Sequence, residues 1–141
     1  MNIYKCIYNE IINTARSLPP ETGGLLGGRD DIVAEVLRDE GLPSDKKCSY
    51  YPNIELFNQT IKEWQSRDIN FMGIFHTHYW GVNTLSKGDK RYIARIMNSM
   101  PEGIDRLYFP ILVMPDKKLV CYVANKKLGN LVIETEAIEL K

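Results

Sequence analysis

The chain has 141 residues, 44% of them hydrophobic, enough to fill one continuous core without disulfides or oligomerisation as a precondition. Its 18 Lys plus Arg balance its 18 Asp plus Glu, leaving no large net field for a polyanion or an anionic membrane surface. Nucleic acid and membranes are therefore not expected partners, and no window approaches the roughly 18 apolar residues of a membrane span.

Polar residues at Asn2, Lys5, Asn9 and Glu10 deny the N-terminal stretch the apolar region of a secretory signal, so the expected compartment is the cytoplasm. No repeat, low-complexity tract or linker divides the sequence, and residues 1–141 read as a single domain. Cys6, Cys48 and Cys121 are odd in number and widely separated, which suits reduced thiols filling the core better than a disulfide framework.

In chain order, Ile7, Ile11, Ala15 and Leu18 recur at helical spacing until Pro19-Pro20 halts the pattern, and Glu21 follows in the exit loop. Gly23 to Gly28 and Ile32 to Leu37 predict two strands of a hairpin turning at Arg29-Asp30-Asp31. Asp39 to Pro52 is a polar, Pro- and Gly-punctuated loop. Asn53 then offers a cap to a helix with an apolar face at Ile54, Phe57, Ile61 and Trp64, ending near Arg67.

Ile69 to His78 is apolar on both alternating faces at Phe71, Met72, Ile74 and Phe75, the pattern of a strand covered on both sides and central in its sheet. Ser86 can cap a third helix that buries Ile93, Ile96 and Met97 while Lys90, Arg91 and Arg95 stay in water. Leu107 to Met114, Leu119 to Val123 and Leu131 to Ile138 predict three closing strands. This order, helices interspersed among hairpin-linked strands, predicts an α+β fold with a mixed sheet flanked by helices.

Both histidines of the protein, His76 and His78, stand two residues apart at the end of the buried strand, so their side chains leave the same face and can reach one ion. A hydrolytic zinc site needs three protein ligands and one open position, and Asp89, eleven residues after His78, is the candidate third donor. Ser86-Lys87-Gly88-Asp89 also reads as a helix-capping box, and on that segment alone the cap is the favoured reading of Asp89.

Taken together, Glu21, His76-Thr77-His78, a seven-residue spacer and Ser86-x-x-Asp89 resemble the JAMM signature of the MPN-domain metallopeptidases. The surrounding frame is similar too, in Glu21-Thr22-Gly23-Gly24-Leu25-Leu26-Gly27 and in Gly73-Ile74-Phe75, and the resemblance spans roughly residues 1 to 125. It implies a cytidine-deaminase-like α/β sandwich with one zinc ion and its bound water at the edge of the central sheet. The resemblance places His76, His78 and Asp89 as metal ligands, Glu21 as general acid/base, and Ser86 as the hydroxyl that steadies the tetrahedral intermediate.

The implied substrate is the C-terminal tail of a ubiquitin-like or sulfur-carrier protein, cut at a peptide or isopeptide bond, with other members of a conjugation pathway as partners. A short strand edge such as Gly23 to Gly28, or the loop after His78, could receive that tail by strand addition. One departure stands out: Tyr79, followed by Trp80, occupies the position where the family usually has proline. The two rings could wall a substrate groove, or pack the loop onto the core.

The rival readings are a non-catalytic MPN scaffold or interaction module, a cupin or amidohydrolase, and a Cys/His peptidase built on Cys48. Scaffold members of the family generally lack part of the motif, whereas all five positions are present here. Cupins and amidohydrolases need further histidine ligands, and this chain has two histidines in all. Cys48 sits in a polar loop with no cue for a lowered thiol pKa. Lys87, Lys90, Arg91 and Arg95 read as the solvated face of a helix, not a nucleic-acid patch.

Overall fold

Alternating burial and helix caps divide the chain into twelve elements in the computed structural model, which describes residues 1–43 and 49–141. In order they are β1 (Asn2–Ile3), α1 (Lys5–Thr14), β2 (Gly23–Arg29), β3 (Ile32–Asp39), α2 (Ile54–Ser66), β4 (Asn70–His78), α3 (Lys87–Ser99), β5 (Arg106–Tyr108), β6 (Ile111–Val113), β7 (Lys118–Lys127), β8 (Asn130–Glu136) and β9 (Glu139–Leu140). The strands form one mixed sheet, and β4 is interior to it, as its two-sided apolar pattern predicts. β2 pairs antiparallel with β4 on one side, while β5 and β6 pair parallel with it on the other.

The helices cover both faces. Ile11 of α1 joins Ile3, Leu26, Phe75 and Leu112 on one face; Phe57 and Trp64 of α2 and Ile93 and Met97 of α3 join Leu25, Ile74, Ile111 and Val113 on the other. Each large apolar side chain so buried contributes about 1.5–3 kcal/mol. Alternation along β4 sends Phe75 toward α1 and Ile74 toward α2 and α3, so His76 and His78, which share the parity of Ile74, emerge on the α2 and α3 face.

The local signals behave as their chemistry demands. Asn53 accepts a hydrogen bond from the Leu56 amide and starts α2; Asp30 and Asp31 both take left-handed φ (51° and 59°), the geometry of a two-residue hairpin turn. Three expectations are corrected. α1 stops at Thr14 and not at Leu18, because the Pro19 ring would collide with the Ala15 carbonyl of a continuing helix; Leu18 is left 72% exposed. The strand expected over Leu107 to Met114 is split into β5 and β6 at Pro110, which has no amide to donate to a ladder. Finally, β2 is hydrogen-bonded on both edges, by β3 and β4, so no peptide can add to it.

Cys121 is buried, as a core-filling thiol should be, but Cys6 is exposed on α1; Cys48 lies outside the described residues. Among the described residues, no helix is long and apolar enough to cross a membrane.

Candidate metal centre

β4 delivers its two histidines to one point. Their Nε2 atoms lie 2.9 Å apart, with the rings edge to face at 4.7 Å between centroids. Asp89, in the first turn of α3, reaches both: Oδ1 is 3.3 Å from His76 Nε2 and Oδ2 is 3.1 Å from His78 Nε2.

The capping box and the donor set turn out to be one construction. The Ser86 Oγ accepts from the Asp89 amide (3.0 Å) while Asp89 Oδ2 accepts from the Ser86 amide (2.8 Å), and this reciprocal pair fixes the carboxylate in the rotamer that faces the imidazoles. Ser86 therefore stands at the N-cap of α3, beside the cluster.

His78 is oriented from behind. Its Nδ1 lies 3.1 Å from the Val82 carbonyl, which can only accept, so Nδ1 carries the hydrogen and Nε2 presents a lone pair to Asp89 and His76. Lone pairs and a carboxylate converging at about 3 Å repel one another unless a cation or proton lies among them. The fit to zinc is close: donors at about 2.0–2.1 Å on a tetrahedron are about 3.3–3.4 Å apart, and the three contacts here measure 2.9, 3.1 and 3.3 Å. Two imidazoles and one carboxylate are also a borderline donor set of the kind zinc takes.

Charge in the cluster follows burial and contact. Desolvation lowers the His76 pKa against the pull of Asp89, favouring the neutral ring. At His78 burial also lowers the pKa, but the hydrogen bond and charge of Asp89, with Glu21, outweigh it and raise the value. Burial would raise Asp89, yet the two histidines and the Ser86 amide hold it well below the usual carboxylate range.

Glu21 is brought in by its neighbour. Thr77, between the histidines, points to the opposite face and is 1% exposed. Its Oγ1 accepts from the Thr22 amide (2.9 Å) and donates to the Thr22 carbonyl (3.3 Å), and its own amide donates to that carbonyl at 2.8 Å. The residue after Glu21 is thus fastened to the residue between the histidines, and the Glu21 carboxyl lies within the fields of His78 and Asp89. Burial, reduced by His78 and reinforced by Asp89, pushes its pKa up to about 7.

Tyr79 and Trp80 part company. Tyr79 is buried, and its hydroxyl donates to the carbonyls of Arg16 (3.1 Å) and Pro20 (3.3 Å), tying the loop after the histidines to the segment leading into Glu21. Trp80 sits in the left-handed region (φ 55°) and is 71% exposed. The turn is held by Gly81 and Val82 amides on the Met114 and Tyr79 carbonyls. Tyr79 thus packs the loop onto the core, whereas Trp80 faces solvent.

Sequence reasoning missed Tyr50 and Asp39. The Tyr50 ring lies nearly parallel to His76 (10° between planes, 6.2 Å between centroids), and its hydroxyl donates to Asp39 Oδ2 at 2.7 Å. Tyr50 falls in a polar loop and Asp39 at its start, where no periodicity marks either residue.

No family model and no curated protein matches the chain. It is similar to solved structures. One is a Desulfitobacterium hafniense protein determined in solution, with a TM-score of 0.72 and 24% identity over 99% of this chain and 92% of that one. Another is a JAB1/MPN domain protein from Archaeoglobus fulgidus, with a TM-score of 0.55 and 22% identity over 99% of this chain and 100% of that one. The chain has an MPN-like fold: a mixed sheet flanked by helices, with a His-His-Asp group able to hold a metal ion.

Proposed function

We propose that the chain is a zinc-dependent hydrolase of the JAMM/MPN type, a single cytidine-deaminase-like domain that works in the cytoplasm on peptide or isopeptide bonds. Its substrate is the C-terminal tail of a ubiquitin-like or sulfur-carrier protein, and its partners belong to the same conjugation pathway. The observation that carries this reading is the meeting of three donors, His76, His78 and Asp89, with a carboxyl, Glu21, whose buried setting raises its pKa to about 7.

In this reading His76 and His78 through Nε2 and Asp89 through its carboxylate hold one zinc ion. A zinc ion held by these three residues would supply a water of lowered pKa and polarise the scissile carbonyl. Glu21 takes up the proton of the attacking water and gives it to the leaving amine. A carboxyl that titrates near 7 is matched to both directions of transfer, and such general acid/base work is typically worth about 100- to 10,000-fold. The cap uses the Ser86 oxygen only as an acceptor, so the Ser86 O–H remains available to donate to the oxyanion. The tail reaches the site along the loop 79–85, past Trp80, because β2 has no open edge.

The test is paired. Purified wild type and Glu21→Gln are assayed for zinc content and for cleavage of ubiquitin-like fusions from the same genome. One zinc per chain in both, with turnover in the wild type alone, is the expected result. Zinc in both with turnover in neither would instead make the chain a scaffold module.

A further inference from the structure

Three residues form a transverse row across three strands. In the register of the sheet, Asp39 of β3 stands opposite Gly23 of β2, and Gly23 stands opposite His76 of β4. Direct cross-strand partners share a face, so the three positions project to the side covered by α2 and α3.

Tyr50 spans this row. Its hydroxyl is fixed at one end by the buried Asp39, whose carboxylate also accepts from the Asn53 amide (2.9 Å) and the Gly41 amide (2.9 Å). The hydroxyl-bearing end of the ring lies against Gly23, where a Cβ would come within 2.7 Å of Tyr50 Cε2 and closer still to the Phe75 carbonyl oxygen, so only glycine fits there. The face of the ring looks onto His76 in a near-parallel stack.

The two histidines are therefore held differently. The Val82 carbonyl orients His78 through Nδ1, and among the described residues that bond has no counterpart at His76. A hydrogen-bond partner behind a metal-ligating histidine normally fixes its ring orientation.

Resting on the zinc reading above, we propose that Tyr50, anchored by Asp39, is the positioning residue for His76, setting the plane of the imidazole so that Nε2 is presented to the ion. Tyr50 touches neither substrate nor metal. The Tyr50–Asp39 hydrogen bond sets where the aromatic ring sits, and the ring sets the ligand.

The test compares full-length wild type, Tyr50→Phe, Tyr50→Leu and Asp39→Asn. Zinc affinity is measured by competition with a chromophoric chelator, the ligand field by the visible spectrum of the cobalt-substituted protein, and folding by circular dichroism. Tyr50→Leu is expected to weaken zinc about 10- to 100-fold, the usual effect of losing an outer partner, and to alter the cobalt spectrum. Tyr50→Phe, which keeps the ring but loses its anchor, and Asp39→Asn, which weakens that anchor, are each expected to fall between wild type and Tyr50→Leu.

Wild-type zinc affinity and an unchanged cobalt spectrum in folded Tyr50→Leu overturn the positioning role alone. Should Tyr50→Leu fail to fold, wild-type zinc affinity and an unchanged cobalt spectrum in both folded Tyr50→Phe and folded Asp39→Asn overturn the positioning role instead. A wild type that binds no zinc overturns the metal reading, and this inference with it.

Discussion

Thr22 and Thr77, 55 residues apart, are joined by three hydrogen bonds: two through the Thr77 hydroxyl and one from its amide. This is the joint that carries Glu21 to the histidines, since Thr22 follows Glu21 and Thr77 separates His76 from His78. Thr77→Val keeps the shape but strands the buried Thr22 amide, a loss of about 1–3 kcal/mol. Chemical denaturation is expected to show that loss, with zinc content retained and turnover reduced, while Thr77→Ser restores both. An unchanged unfolding midpoint in Thr77→Val would show the joint to be idle.

Asp89 serves the helix and the cluster at once, and the two roles separate by mutation. Ser86→Ala removes the cap acceptor and is expected to cost about 0.5–2 kcal/mol of stability while leaving zinc bound. Asp89→Ala is expected to lose the metal as well. Zinc analysis alongside thermal unfolding distinguishes them; full zinc occupancy in Asp89→Ala would remove Asp89 from the ligand set.

Glu21 makes stability depend on pH in a fixed direction. Its folded pKa of about 7 lies above its ordinary 4.5, so the folded state binds the proton more tightly than the unfolded chain. The contribution of the protonated group is complete below 4.5 and is lost as pH rises through 7. In protein stripped by a chelator, the melting temperature of Glu21→Gln is therefore expected to climb relative to wild type between pH 4.5 and about 7.5, and to run parallel on either side. Parallel curves across the whole range would mean that the carboxyl is solvated in both states.

Tyr79 makes two hydrogen bonds, to the Arg16 and Pro20 carbonyls, that tie the loop after the histidines to the segment before Glu21. Tyr79→Phe is expected to keep the fold and zinc but to loosen the segment before Glu21, lowering kcat more than it raises KM. Protease nicking between residues 15 and 21 should rise in the variant. Kinetics and nicking both at wild-type level would leave the hydroxyl without a role.

The parts of the fold legible in the sequence are those written in neighbouring residues. Asn53 and Ser86 cap their helices, Asp30-Asp31 make their turn, and the parity of His76 and His78 follows from strand alternation alone. The Asp89 carboxylate reads both as part of a capping box and as part of a ligand motif because the two share a spacing; in the structure the same oxygen closes the cap and faces His78.

What the sequence hides is register. Nothing in the string says that Asp39, Gly23 and His76 will line up across three strands, so Tyr50 reads as one more residue of a polar loop. The two-residue strands β1 and β9 are likewise too short to show any alternation, and exist because the ends of the chain lie beside each other in parallel at the sheet margin.

In α3 the Asp89 Oδ2 that accepts from the Ser86 amide and closes the opening turn also faces His78 Nε2, so on the zinc reading the start of this helix and the capture of an ion would be linked equilibria. An occupied site should slow amide hydrogen exchange at Asp89 and Lys90, and fraying of that turn should in return set a ceiling on how long the ion resides. Release would then be timed by the opening of a helix end, a local event that leaves the sheet beneath it undisturbed.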